Sequence, residues 1–261
     1  MDSWREMIAL PLAGRSRKPR MQGLSMVLDK GLGLAETKDL LDISANHIDF
    51  IKLGFGTSAL YSDGILQAKI ELVKAYGVDI YPGGTFFEVA AAQGKAKSFF
   101  KLAQSIGFSA IEVSDGTIYL DPDDRRRAIE MGVELGFKVL AEVGKKDPDE
   151  QDTYRELGMQ AKKDLEAGAH WVIVEGREFG KNVVIYDETG QIKDSAVEEF
   201  MAWVERPECL LWEAPLKDQQ EALINRFGAD VNLGNIPPGE ILSLEALRVG
   251  LRGDTLKRCY R

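Results

Sequence analysis

Cysteine and histidine are nearly absent. Two of each occur in 261 residues. Cys209 adjoins an apolar run and Cys259 lies in the C-terminal tail, so neither a disulfide framework nor a cysteine-rich zinc site can be built. His47 and His170 each stand at the start of an apolar run, where they read as structural residues. A metal ion, if this chain uses one, is then a hard, oxygen-ligated one such as Mg2+. Positive charge is also in deficit: 33 Lys and Arg stand against 42 Asp and Glu, for a net charge of −9. That excludes a general nucleic-acid surface but leaves room for a local basic pocket that takes small anions. No apolar run approaches the ~20 residues of a membrane span. No apolar stretch follows Met1-Asp2-Ser3-Trp4-Arg5, and the basic stretch Arg15–Arg20 is short and broken by Pro19. The expectation is a cytoplasmic protein with reduced thiols. Finally, no Gly-x-Gly-x-x-Gly follows the first apolar run, so a dinucleotide-binding fold lacks its fingerprint.

Eight short apolar runs are present instead: Leu24–Gly31, Ile48–Gly56, Val78–Gly84, Ala110–Gly116, Lys138–Lys146, His170–Gly176, Leu210–Pro215 and Asp230–Ile236. They recur at roughly 30-residue intervals, the length of a βαβ unit. Helical patterns fill the gaps over Glu36–Asn46, Asp63–Tyr76, Phe87–Ile106 (with Gly94 as a breaking point), Asp121–Leu135, Pro148–Ala167, Asp194–Val204, Asp218–Phe227 and Glu240–Leu251. Gly77, Gly107, Gly136, Gly168 and Gly228 stand where helices end. Eight strand–helix units imply a single (β/α)8 TIM-type barrel, with an open doubly wound sheet as the alternative. Residues 1–22 read as an N-terminal extension and 23–261 as the barrel. One long excursion, Phe179–Lys193, reads as a small hairpin turning at Glu188-Thr189-Gly190 that covers the barrel mouth.

Charge gathers at the C-terminal ends of these runs, the face on which such barrels carry their chemistry. Strand alternation sorts it further. Leu140, Glu142, Gly144 and Lys146 share one parity, whereas Lys145 has the other. Glu112 pairs with Ser114, and Glu175 with Arg177. The mouth is therefore expected to hold Lys52, Lys146 and Arg177 as cations and Glu112, Glu142, Glu175 and Glu213 as carboxylates. Converging carboxylates repel unless a cation sits among them, and a divalent ion bound by two or three of them removes that repulsion. The cations then suit anionic oxygens, with Arg177 capable of a bidentate contact. Two glycine segments, Gly54–Ser58 and Pro82–Thr85, and the Gly234-Asn235 pair could each present backbone N–H groups to an anion.

Nine segments in order carry a family resemblance: Val27–Gly31, Ile48–Ser58, Tyr81–Glu88, Ile111–Gly116, Glu142–Lys146, Glu175–Glu178, Glu213–Pro215, Val231–Ile236 and Leu251–Thr255. From about Gly23 to Thr255 the chain resembles phosphosulfolactate synthases. It departs at Glu178-Phe179-Gly180, where the family pattern has Glu-Ser-Gly, and at Leu233-Gly234-Asn235, where it has Leu-Ala-Asn. The resemblance implies a TIM-like barrel, Mg2+ dependence, and addition of sulfite to phosphoenolpyruvate to give (2R)-3-sulfo-2-phospholactate. It makes Lys146 the expected general acid, supported by Glu142 and Arg177. Glu112, Glu142, Glu175 and Glu213 become the expected metal set. Lys52, Lys145, Asn232, Asn235 and Arg252 are the expected substrate-binding residues. The partners are then two small anions rather than nucleic acid or membrane, and a homo-oligomer is compatible with all of this.

Two other readings stay open on the residues alone. A barrel lyase or aldolase acting on a small phosphorylated acid would use Lys146 or Lys52 as a Schiff base, and a stress-related homologue would use the barrel without catalysis.

Overall fold

The computed structural model describes residues 4–147 and 152–259. Its strands are β1 (Ser25–Asp29), β2 (Phe50–Leu53), β3 (Asp79–Pro82), β4 (Ala110–Val113), β5 (Lys138–Val143), β6 (Trp171–Val174), β7 (Leu210–Glu213) and β8 (Asn232–Ile236). They form one parallel sheet in the order β3-β2-β1-β8-β7-β6-β5-β4. The two end strands meet at a seam. There the Ser109 N–H donates to the Ile80 carbonyl at 3.2 Å and the Ser109 hydroxyl accepts from the Ile80 N–H at 3.1 Å. The result is the single (β/α)8 barrel expected from the repeat.

A short α1 (Trp4–Met7) precedes the barrel. Outside the sheet lie α2 (Leu34–Ser44), α3 (Asp63–Ala75), α4 (Gly84–Ala92), α5 (Ala96–Ile106), α6 (Pro122–Glu134), α7 (Tyr154–Glu166), α8 (Asp194–Met201), α9 (Lys217–Phe227), α10 (Ile241–Arg248) and α11 (Gly253–Cys259). The helix expected over 87–106 is thus two helices, α4 and α5, because the chain turns at Gly94 with φ 67°. The start expected at Pro148 lies outside the described residues. Within them, α7 opens on a Thr153–Glu156 capping box. The Cys259 side chain also lies outside the described residues. None of the helices among the described residues is long and apolar enough to cross a membrane.

Strand alternation divides the side chains into two cores. Val27, Ile51, Ile111, Val139, Val172 and Trp212 face the helices. Phe50, Ala110, Leu140, Ile173 and Leu211 face the lumen, where they form an apolar floor. The next inward position on each of these five strands or strand ends is charged: Lys52, Glu112, Glu142, Glu175 and Glu213, all buried. Period-two geometry thus stacks a ring of charge directly on a ring of apolar groups.

Strand β8 breaks this rule. It pairs Leu233 with Ser25 and Ile236 with Val27, so three steps on β8 match two on β1. The extra residue is a bulge, and Asn235 sits in it with φ 53°. Bulges re-aim side chains at barrel rims, and this one brings Asn235 to the mouth.

The basic N-terminal stretch is an arm across the opposite end. Arg15 pairs with Asp230 (3.3 Å) and Glu245 (3.0 Å), Arg20 with Asp49 (2.7 Å), and the Met21 carbonyl accepts from Trp171 Nε1 (3.3 Å). Both histidines lie at this end. His170 Nδ1 accepts from the Val139 N–H at 3.2 Å, and His47 Nδ1 is 3.6 Å from Glu245.

Candidate active site

The charged ring opens into a cavity of about 210 Å³ at the C-terminal ends of the strands. That is below the ~300 Å³ lower bound of drug-sized pockets and suits a small acid. At its base the Lys52 ammonium lies 3.0 Å from Glu112 Oε2, 3.3 Å from Glu142 Oε2 and 3.1 Å from Glu213 Oε1. Burial disfavours its charge, but Glu112, Glu213 and Glu142 outweigh burial and hold its pKa well above the ordinary lysine value. Lys52 therefore neutralises the carboxylates before it does anything else.

Lys146 sits higher. Its Nζ donates to Thr85 Oγ1 at 3.0 Å and to Glu88 Oε1 at 3.3 Å, and lies 3.5 Å from Glu142 Oε1 and 4.0 Å from Glu175 Oε2. Burial again opposes its charge, and Glu142, Glu175 and Glu88 prevail, raising its pKa. The backbone fixes it at both sides: its N–H donates to the Gly116 carbonyl at 2.9 Å, and its carbonyl accepts from Arg177 Nη1 at 3.0 Å.

Five carboxyl groups now face three cations, counting Glu88 with the four expected carboxylates and Arg177 with the two lysines. The carboxyl groups respond by dividing their protons. Burial pushes Glu112 up to about 8 against the pull of Lys52. Burial, with Glu142 and Glu213, pushes Glu175 well above the ordinary range. Burial acts on Glu142 in the same direction, yet Lys146, Lys52 and hydrogen bonds from Glu175 and Glu112 hold its pKa down. Backbone donors complete the set. Gly84 N–H donates to Glu112 Oε1 at 2.7 Å, and Gly176 and Arg177 N–H donate to Glu213 Oε2 at 3.0 and 3.1 Å. Glycine is required at both contacts. A Cβ on Gly84 would meet Glu112 Oε1 at 2.3 Å, and one on Gly176 would meet the Glu213 carbonyl at 2.5 Å.

The donors present fit a hard divalent ion. Carboxylate oxygens of Glu142, Glu175 and Glu213 lie within 4.8 Å of one another. Buried Glu142 Oε1, Glu175 Oε2 and Glu112 Oε2 have no backbone or hydroxyl donor and face only the two lysines and one another. Buried carboxylates so sparsely served leave room for a further cation, and an all-oxygen set matches magnesium better than zinc.

The structure brings Lys52, Glu142, Lys146, Glu175, Arg177, Glu213 and Asn235 together around this cavity. Glu112 lies just beneath it, against Lys52. Three expected residues are elsewhere. Asn232 begins β8 at the opposite end of the barrel, where its Oδ1 accepts from the Leu24 N–H at 3.0 Å and its Nδ2 donates to the Glu208 and Leu210 carbonyls at 2.9 and 2.7 Å. It shares the last apolar run with Asn235, but three residues along a strand is about 10 Å. Lys145 points away, as its parity demands, and its Nζ donates to the Asp115 carbonyl at 2.8 Å. Arg252 precedes α11 and lies 3.6 Å from Asp254, away from the cavity lining. Of the glycine segments, Pro82–Thr85 turns its Gly84 N–H to Glu112 rather than to open space. The segment after β6 places Arg177 and Glu178 on the cavity, and the excursion that follows adds Phe179 and a Tyr186 hydroxyl that donates to the Glu213 carbonyl at 2.7 Å.

The strand-end argument missed the helix. Thr85 and Glu88 stand on α4 and meet Lys146 from the side. Their three-residue spacing on one helix face was the available signal. It also missed Arg125 on α6, fully buried, which donates to the Glu142 carbonyl at 2.7 Å while pairing with Asp164 and Asp115.

A family model described as (2R)-phospho-3-sulfolactate synthase (ComA) matches residues 13–254. Over 93% of its length the chain is 47% identical to the phosphosulfolactate synthase of Methanothermobacter thermautotrophicus, covering 94% of that protein. It is 43% identical to that of Methanocaldococcus jannaschii over 90% of this chain and 94% of the other. Among solved structures, 3-hexulose-6-phosphate synthase from Salmonella typhimurium is similar in fold, with a TM-score of 0.57 and 16% identity over 88% of this chain and all of the other. With a matching family model over most of the chain and relatives aligned over at least 90% of its length, this enzyme belongs to the (2R)-phospho-3-sulfolactate synthase family.

Proposed function

We propose that this mouth adds sulfite to phosphoenolpyruvate to give (2R)-3-sulfo-2-phospholactate, with Mg2+ held by Glu142, Glu175 and Glu213 beside Glu112, and with Lys146 as general acid. The observation that carries the reading is the placement of one ammonium, Lys146, between two helix side chains and the edge of the carboxylate cluster. The ion, when bound, supplies positive charge next to the substrate carboxylate, where negative charge builds during the addition.

The chain's own residues do the rest. The lone pair of the sulfite sulfur forms the bond to the methylene carbon, and the π electrons of the enol double bond move toward the carboxylate. The Lys146 ammonium then gives its proton to C2, the phosphate ester stays intact, and the neutral amine is reprotonated from water. An ammonium fixed on one side of the substrate protonates one face, which gives a single configuration. Arg177 faces the same cavity and is suited to hold an anionic group. Lys52 keeps Glu112, Glu142 and Glu213 together at the base.

Incubating the purified protein with phosphoenolpyruvate, sulfite and Mg2+ and following phosphorus NMR tests the reading. A new phosphate-ester resonance is expected, absent with EDTA and lost in Lys146→Ala. A spectrum that shows only phosphoenolpyruvate would overturn it.

A further inference from the structure

We propose that Glu88 is the positioning residue that keeps Lys146 aimed into the cavity when the strand-end carboxylates are engaged elsewhere; the inference rests on the general-acid reading of Lys146. Glu88 is 1% exposed and comes from α4, not from a strand. Its own carboxylate is fixed before Lys146 is considered. Oε1 accepts from the Ser114 hydroxyl at 2.5 Å and Oε2 from the Thr117 N–H at 2.9 Å. Oε1 then takes the Lys146 ammonium at 3.3 Å, and Thr85, one turn back on the same helix, takes it at 3.0 Å.

The contacts of Lys146 therefore fall into two kinds. Glu142 and Glu175, at 3.5 and 4.0 Å, belong to the cluster suited to a divalent ion. Carboxylate oxygens turned to an ion are no longer counter-ions for a lysine, and the ion's own charge repels the ammonium. Glu88 and Thr85 stand outside that cluster. They are the contacts that persist, and both lie on one rigid element. A partly exposed ammonium whose other partners are taken away is free to swing out toward solvent. Glu88 prevents this. Its ties to Ser114 and Thr117, on the segment after β4, fix α4 to the barrel where the acid is held.

Glu88→Gln keeps the shape and removes the charge. The expected result is a fall in kcat of about 10- to 100-fold, part of the gain general acids supply. KM for phosphoenolpyruvate and for sulfite should stay within about twofold, as should the dissociation constant of Mn2+ measured by electron paramagnetic resonance without substrate. Ser114→Ala, a milder change, should lower kcat by about three- to tenfold through loss of one hydrogen bond to the carboxylate. Unchanged kcat in both variants would overturn the assignment. So would a Mn2+ affinity that weakens in step with kcat, since Glu88 would then act on the ion. Turnover that survives in Lys146→Ala would instead remove the general-acid reading, whatever Glu88 does.

Discussion

Arg177 Nη1 donates to the backbone carbonyl of Lys146 at 3.0 Å. Two residues expected to act separately on substrate are thus joined, from the loops after β5 and β6. Arg177 is held in turn by its own backbone. With φ 58° it turns so that its N–H reaches Glu175 Oε1 at 2.6 Å, and its carbonyl accepts from Asn235 Nδ2 at 3.1 Å. Its position therefore sets three neighbours at once.

Arg177→Lys should consequently do more than weaken anion binding. A lysine keeps the charge but not the planar fork, so it cannot bridge the Lys146 carbonyl and an anion together. Steady-state kinetics should show KM for phosphoenolpyruvate raised about tenfold and kcat lowered by a similar factor. A change confined to KM would mean that the link to Lys146 is dispensable.

How far the site was readable from sequence depends on which kind of geometry places each residue. Lys52, Glu112, Glu142 and Glu213 follow from alternation within strands whose inward apolar neighbours are two residues earlier, and each is where parity puts it. Lys145 and Lys146 were separated on the same ground. Asn235 is at the mouth only because of a bulge, and alternation alone would have turned it outward with Leu233. Asn232 shares a run with Asn235 but opens the strand, which puts it at the other end of the barrel. Thr85 and Glu88 share a helix face by their spacing, but that this face, and Arg125 on α6, meets the site depends on how α4 and α6 pack on the barrel, which spacing does not record.

Asn232→Ala separates stability from catalysis. Asn232 links the start of β8 to the Leu24 N–H and to two carbonyls near β7, at the end of the barrel away from the chemistry. Losing these buried bonds should cost about 1–3 kcal/mol. Thermal unfolding should shift down by about 2–12 °C, at roughly 2–4 °C per kcal/mol for a chain of this size. Both kcat and KM should remain within about twofold of the parent, as expected for a distant site. Altered KM with unchanged melting would place Asn232 at the substrate after all.

The proton distribution makes the metal-free protein sensitive to pH. Glu112, at about 8 in the folded chain, binds its proton more tightly than in the unfolded chain, and Glu175 is shifted the same way. Groups raised by folding stabilise below the ordinary carboxyl range, and that contribution is lost as pH rises through the folded value. Glu142 has the opposite sign, but its contribution is lost only as pH falls below the ordinary carboxyl range. Melting temperature without metal should therefore fall between about pH 5 and pH 8, by an amount equivalent to up to a few kcal/mol. Added Mg2+ should restore more stability at the upper pH, because the ion requires ionised ligands. Glu112→Gln should flatten the metal-free slope. Scanning fluorimetry across this range decides the matter, and a melting temperature that rises with pH would contradict the assigned shifts.

The same electrostatics argue against Schiff-base chemistry. Imine formation needs a neutral amine, and lysines that form imines are commonly desolvated among apolar groups or set beside another cation. Lys52 and Lys146 have the reverse surroundings. Burial opposes their charge, yet three carboxylates around each outweigh it and raise both pKa values. An aldolase-type barrel would need one of them deprotonated near neutral pH. Treating the protein with pyruvate and borohydride should therefore leave the intact mass unchanged, whereas an imine would be trapped as a stable adduct on one lysine. Substitution of Glu112, Glu142 or Glu213 by Gln should lower the Lys52 pKa and increase its reaction with amine reagents. An adduct on unmodified protein at neutral pH would mean that at least one lysine is not held as an ammonium, and proton donation by Lys146 would have to be abandoned if that residue carried the label.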